Sequence, residues 1–410
     1  MALAPKSKLQ KIIEMQNFRN FSAENYILAT VGALLVAASS LKLVVPVILI
    51  VFTLLLGWRK LQRSAVVLSA PILVFASYQY LQIVLRPESF EYYADLPKVY
   101  LVILFVAVPY VNMLLTRPIS MKTLEVSVLL GAWVTMIFWA LYQLSYEHTC
   151  RIEPFGINAL FIPITILPMT YYFIALRIKE ERHNILDSLT VAATVFCVAA
   201  YTGSRMPFYT LMFAIVCILG NSIYNRKFKI VGLILSLLGV GLILVFIKDG
   251  VSGCNMFQRI SDQVNIITSS KMEASGDSSM WTRWIFYSNS FKFLISEHWN
   301  WMIGNGALAE SGIVNQGLPI NYTFTHAHNQ FLSWLIAGGV LGLCSGMLVA
   351  GQLWRHIFCD LPSFIFLVLL GIPFLTNSPM YNAPITAQLL FLMLTMQVIS
   401  FVRHGKREIL

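Results

Sequence analysis

The stretch KIVGLILSLLGVGLILVFI, residues 229–247, carries no ionisable side chain after its first lysine. An α-helix needs about 20 apolar residues to cross the roughly 30 Å hydrocarbon core of a bilayer. Backbone groups in hydrocarbon have no water to bond, so a crossing segment must satisfy its own N–H and C=O groups as a helix. Similar runs recur along the chain. They place twelve spans near 26–40, 43–57, 64–85, 98–116, 124–145, 157–176, 187–202, 206–224, 229–247, 329–353, 362–376 and 383–402. Hydrophobic residues make up 57% of the 410 and charged residues 12%, against about 25% charged in soluble domains. The fold class expected is an all-α polytopic membrane protein.

Charge then sorts the connections. Lys6, Lys8, Lys11, Arg59, Lys60, Arg63, Arg117, Lys122, Arg177, Lys179, Arg182, Arg226 and Lys227 fall on one side of the alternating spans, with Arg355, Arg403, Lys406 and Arg407. Basic residues in short loops stay cytoplasmic, so both termini are expected inside. The formal net charge of +10 reads as a topology and anionic-lipid signal, and no nucleic-acid partner is implied. The basic start at residues 6–20 lacks the apolar core of a cleavable signal peptide.

The expected organisation is spans one to nine over 1–247, a long extracytoplasmic loop over 248–328 and spans ten to twelve over 329–410, as one integrated domain. The loop has a polar stretch at Ser269–Ser279 and a predicted helix at about 280–297. In that helix Trp281, Trp284, Ile285, Phe291, Leu294 and Ile295 share a face, which predicts packing over the bundle or on the membrane surface. A tethered loop of this length is usually functional. Cys150 and Cys254 both fall outside, where a disulfide is chemically allowed.

No Asp, Glu, Lys or Arg lies mid-span, which argues against an ion-coupled transporter. Polar chemistry gathers instead at the outer surface: Arg86, Arg151, Arg205, Arg283, His326 and His328. That distribution suits an amphipathic substrate with its tail in lipid and its head just outside. Arginine near a span end snorkels or pairs with a carboxylate, but its planar fork also matches phosphate oxygens. Arg205 ends the turn Thr202-Gly203-Ser204-Arg205, ahead of Pro207. The pentapeptide Thr325-His326-Ala327-His328-Asn329 leads into span ten. Its imidazoles read as interfacial hydrogen-bonding groups, a metal half-site or a general base. Neither HExxH nor DxD occurs, so arginines would have to neutralise any diphosphate leaving group. Gly339 and Gly342, three residues apart, predict close helix packing at the start of span ten.

The order of these features resembles the O-antigen ligase and polymerase superfamily. A short outer loop ends in Ser204-Arg205, a long loop follows with an Arg283-bearing helix, and His326-Ala327-His328-Asn329 precedes a span. His328-Asn329, nine residues, then Gly339-x-x-Gly342 fits the ligase pattern, and Gly304-Asn305-Gly306 resembles the family's Gly-x-Gly. The resemblance covers about residues 200–345. It implies a GT-C-type glycosyltransferase that is metal-independent and needs no cofactor. The implied enzyme is a multi-pass protein of the bacterial inner membrane, with a periplasmic site and loop. It would move a glycan from undecaprenyl diphosphate onto lipid A-core, among membrane lipids. By the resemblance His328 is the base, His326 a supporting residue, and Arg205 and Arg283 hold the diphosphate, with Arg86 and Arg151 completing that site. A polymerase with a lipid-linked glycan as acceptor is the alternative.

Overall fold

The computed structural model describes residues 51, 53, 61–86, 95–116, 121–145, 161–202, 205–252, 278–316, 328–357, 360–376 and 378–404. Ten helices stand where the last ten of the twelve spans are expected. They are α1 (Arg63–Val84), α2 (Leu96–Thr116), α3 (Met121–Ser145), α4 (Phe161–Lys179), α5 (Ile185–Cys197), α6 (Arg205–Tyr224) and α7 (Phe228–Ser252). Two shorter helices follow, α8 (Ser278–Leu294) and α9 (Ala307–Val314), then α10 (Gln330–Ile357), α11 (Leu361–Thr376) and α12 (Ala383–His404). Among the described residues there is no strand, and seven helices are long and apolar enough to cross a membrane. The first two expected spans lie outside the described residues apart from Val51 and Thr53. So do residues 269–277 of the polar stretch and the pair Cys150 and Cys254.

Helices α1 and α2 form a hairpin against α12, α10 lies along α1, α11 packs on α4 and α6, and α5 packs on α7. α12 is the most enclosed of the candidate spans. Large aliphatic and aromatic side chains such as Val67, Phe105, Leu130, Val134, Val216 and Ile243 point outward instead. That is the surface expected of helices solvated by lipid.

Hydroxyls inside such a bundle must find acceptors, because an unpaired polar group in an apolar medium costs several kcal/mol (roughly 2–7). Thr135, Thr170 and Thr210 donate to carbonyls one turn back at 2.8 Å. Tyr110 pairs with Thr395 at 2.8 Å, and Tyr171 with Thr194 at 2.7 Å.

One end of the bundle is closed by charge. Arg177 donates to Glu125 at 2.6 Å and to Asp187 at 3.0 Å, and both carboxylates are buried. Arg182 donates to Glu125 at 2.9 Å. Asp187 also completes a capping box with Asn184 at the start of α5. Asp360 accepts from Lys179 at 3.0 Å and from the Ser363 hydroxyl at 2.7 Å. Burial works to raise the Asp360 carboxyl, but the Ser363 and Lys179 hydrogen bonds prevail and hold it below its ordinary value. These groups sit at the starts of α3, α5 and α11 and the end of α4, so those termini share one end. The candidate site lies at the other.

Candidate functional site

At the opposite end α10 is broken. Gly339 has φ +63° and ψ −162° inside the helix, a conformation open essentially to glycine alone. A break of this kind strands backbone groups on both sides, and buried backbone groups must be paired. The segment before α9 supplies the partners. Asn305 N–H donates to Ile336 O and Gly306 N–H to Ala337 O, each at 2.9 Å. In return Val340 N–H donates to Trp301 O at 2.8 Å and Leu341 N–H to Met302 O at 3.2 Å.

This interlock needs glycine on both sides. A Cβ on Gly339 would lie 2.5 Å from Gly304 N and from the Met302 carbonyl carbon. A Cβ on Gly304, itself at φ +67°, would lie 2.5 Å from the Ala337 carbonyl carbon. Gly304-Asn305-Gly306 and Gly339 are thus two halves of one joint. The close approach expected of Gly339 is therefore to loop backbone rather than to a neighbouring helix. Gly342 does meet a helix: a Cβ there would lie 3.3 Å from the Tyr78 ring of α1.

The end of α1 locks the joint. Tyr78, Gln82 and Arg86 recur every four residues and so share a face. Tyr78 donates its hydroxyl to Gly338 O, and Gln82 donates to Ile303 O at 3.1 Å. Arg86 donates to Gly304 O at 2.7 Å and to Ala337 O at 3.1 Å. The fork expected at a phosphate here holds carbonyls of the interlock.

His328 stands at the free end of this platform. Its φ is +55°, a left-handed conformation that histidine adopts more readily than most residues. Asn329 follows as the N-cap of α10: its Oδ1 accepts from Leu332 N–H at 3.1 Å. That leaves the amide NH₂ for the Tyr287 hydroxyl, to which Asn329 is hydrogen-bonded. The buried Phe286 ring stacks on the His328 imidazole, with centroids 5.6 Å apart and planes 8° from parallel. Burial pushes the Tyr287 hydroxyl above its ordinary value, although the Arg283 charge and the Asn329 hydrogen bond both pull it down. Helix α8 thus brings Phe286 onto His328 and Tyr287 onto Asn329, with the Arg283 charge one turn back acting on Tyr287.

α8 packs through a face other than its apolar one. Phe286, Thr282 and Ser290 are buried, whereas Trp284, Phe291 and Ile295 are 61%, 65% and 86% exposed. Phe286 forms a small core with Val314 of α9 and Leu332 of α10. The richer apolar face is left outward, as on helices that lie in a lipid interface.

Arg205 is half-buried and opens α6, just after α5 ends in a π-helical turn at Val198–Thr202. α6 packs on α11, α7 and α4, while α8 packs on α9 and α10. The two arginines therefore belong to different parts of the same end. His326 and Arg151 lie outside the described residues.

Sequence reasoning missed a buried polar cluster behind the histidine. Ser333, in the first turn of α10, donates to the fully buried Glu310 of α9 and lies 3.0 Å from the Ser378 hydroxyl. Gln330 Oε1 accepts from Met380 N–H at 2.9 Å. The available signal was a lone carboxylate in the otherwise uncharged octapeptide Ala307–Val314.

A family model described as O-antigen ligase matches residues 190–345. The match takes in Arg205, Arg283, both sides of the glycine interlock and His328, and leaves out Arg86 and Arg151. No curated protein matches the chain. Through residues 190–345 the match supports placing this membrane protein in the O-antigen ligase superfamily, with a ligase- or polymerase-type activity on lipid-linked glycans.

Proposed function

We propose that the chain is an O-antigen ligase. It transfers a glycan from undecaprenyl diphosphate to a sugar hydroxyl of lipid A-core at the periplasmic face of the inner membrane. The observation that carries the reading is α8 laying Phe286 against His328 and Tyr287 against Asn329, with Arg283 acting on Tyr287, within the matched region.

In this reading His328 takes the proton of the acceptor hydroxyl as its oxygen attacks the anomeric carbon. The bond from that carbon to the diphosphate oxygen breaks, and the diphosphate leaves with the electron pair. Arg283 and Arg205 hold the charge that develops there, a preorganised electrostatic role. Phe286 fixes the plane of the imidazole. Arg86 also holds the joint at Gly339 that breaks the helix behind His328. No metal or cofactor is called on.

Deletion of the gene followed by lipopolysaccharide electrophoresis tests the acceptor. Bare core is expected, and core bearing one repeat unit would mean a polymerase. His328→Ala, Arg283→Ala and Arg205→Ala, each expressed in the deletion strain, are expected to abolish surface glycan with protein levels preserved. Full surface glycan with His328→Ala would overturn the catalytic reading.

A further inference from the structure

Glu310 is fully buried and is the sole charged residue of α9. Burying a carboxylate is costly unless hydrogen bonds and a favourable field receive it. Both are present. Ser333 donates its hydroxyl to Glu310 and lies 3.0 Å from the Ser378 hydroxyl. Ser333 also stands in the first turn of α10, where N–H groups without helical partners form a partial positive charge that favours an anion.

The same turn adjoins His328. Glu310 and Val314, four residues apart, share a face of α9. Val314 joins Leu332 of α10 and Phe286 of α8 in one small core, and Phe286 is the ring stacked on His328. Asn289 ties α8 to α9, donating to Gln316 O at 2.8 Å and to Ile313 O at 3.3 Å. Ser333 follows His328 by five residues, roughly 8 Å at helical rise, which sets its bonded carboxylate about 10 Å from the imidazole.

A base in this place works against its surroundings. The positive end of α10 opposes the imidazolium that forms when His328 takes the acceptor's proton, and so does the Arg283 charge on α8. Among the described residues, the other titratable groups on elements packed here are Tyr287 of α8, and Tyr78 and Arg86 of α1, which bond the joint. Lys292, Glu297 and His298, at and beyond the end of α8, are exposed. Glu310 is the buried carboxylate among these groups.

We propose that Glu310 is a positioning residue for the transfer reaction: its charge, held at the first turn of α10 by Ser333, stabilises the His328 imidazolium and so sets the strength of that base. The inference rests on the function proposed above. Glu310 itself takes no proton in this role.

Glu310→Gln gives the test, because it keeps an acceptor for Ser333 and removes the charge. At about 10 Å and an effective dielectric of about 20, one unit charge moves a titration by about one pH unit. Loss of a negative charge disfavours the protonated imidazole, so the midpoint falls. Full-length protein in nanodiscs would be titrated by deuterium exchange of the histidine C2 hydrogen, with fragment masses separating His328 from His326. Glu310→Gln is expected to lower the His328 midpoint by about one pH unit. The acid limb of kcat/KM in the transfer assay should move down with it, with KM within twofold of the parent. An unmoved midpoint would overturn the proposal even where activity falls, because a purely structural bond predicts that result. The double substitution Glu310→Met with Ser333→Ala removes both partners and leaves neither half-paired with the other. It should give the same shift, and it decides the question if Glu310→Gln does not fold.

The titration also separates this inference from the catalytic reading. A lowered midpoint in Glu310→Gln beside a fully active His328→Ala protein keeps the field of Glu310 at the imidazole and refutes the base. An unmoved midpoint beside an inactive His328→Ala protein keeps the base and refutes the role of Glu310.

Discussion

Gly339→Ala concentrates the reasoning about the site in one methyl group. Alanine at φ +63°, ψ −162° costs about 1–3 kcal/mol in backbone strain alone. Its Cβ would also press to 2.5 Å against Gly304 N and the Met302 carbonyl carbon. Both are backbone, so the two strands of the joint must part. Parting them breaks the bonds from Val340 N–H to Trp301 O and from Leu341 N–H to Met302 O, at about 0.5–1.5 kcal/mol each. Together this is about 2–6 kcal/mol, enough to raise the open population of the joint by about 30-fold to 10⁴-fold. Thermal unfolding of purified protein in detergent and surface-glycan display would be measured together. Gly351→Ala serves as control on the same helix, because a Cβ there meets nothing within 4 Å; it should be neutral or slightly stabilising. Gly339→Ala is expected to lower the melting temperature and to abolish display. A Gly339→Ala protein that melts and works like Gly351→Ala would refute the interlock as the support of the His328 helix.

Three further outcomes are expected. Asn329→Ala loses the cap on Leu332 N–H and the bond to Tyr287, costing about 1 kcal/mol of local stability and most of the activity. Asn329→Ser, which can still cap, should recover more activity than alanine in the same transfer assay; equal loss would show the cap to be irrelevant. Glu125→Ala leaves Arg177 and Arg182 short of a buried partner, at about 3 kcal/mol. Glu125→Gln, which keeps an acceptor, should melt between alanine and the parent. The Asp360 carboxyl is held below its ordinary value of 3.8, so its contribution to stability is full above that pH and fades as the pH falls below it. Melting curves of the parent and Asp360→Asn should therefore differ at neutral pH and converge in acid; a constant gap across pH would refute the linkage.

Much of the architecture is legible from the sequence because the bilayer imposes it. The length of apolar runs and the need to pair every backbone group inside them place α1 to α7 and α10 to α12 within a few residues. The brief break between 202 and 205 is real: α5 ends through Thr202 and α6 begins at Arg205. The order Arg205, Arg283, His328, Gly339 and Gly342 is likewise readable along the chain, and the family match covers it.

What only the tertiary structure decided is which groups face one another. The apolar face of α8 left open whether it packs over the bundle or lies on the membrane surface; the packed face is Thr282, Phe286 and Ser290, with Trp284, Phe291 and Ile295 outward. A helix bordering lipid can leave its apolar side outward, so hydrophobic periodicity alone does not say which side is inside. Arg86 also donates to carbonyls more than 200 residues away, contacts that no local pattern announces. Gly339 read as a packing residue, and it is a break whose stranded backbone groups are satisfied by the segment from Trp301 to Gly306. Glu310 carried no motif and is fully buried against Ser333. Each of these depends on backbone groups that meet across distant segments, and no local pattern of side chains encodes such a meeting. The bilayer fixes the spans from the sequence, while the pairing demanded by one broken helix sets where the histidine stands.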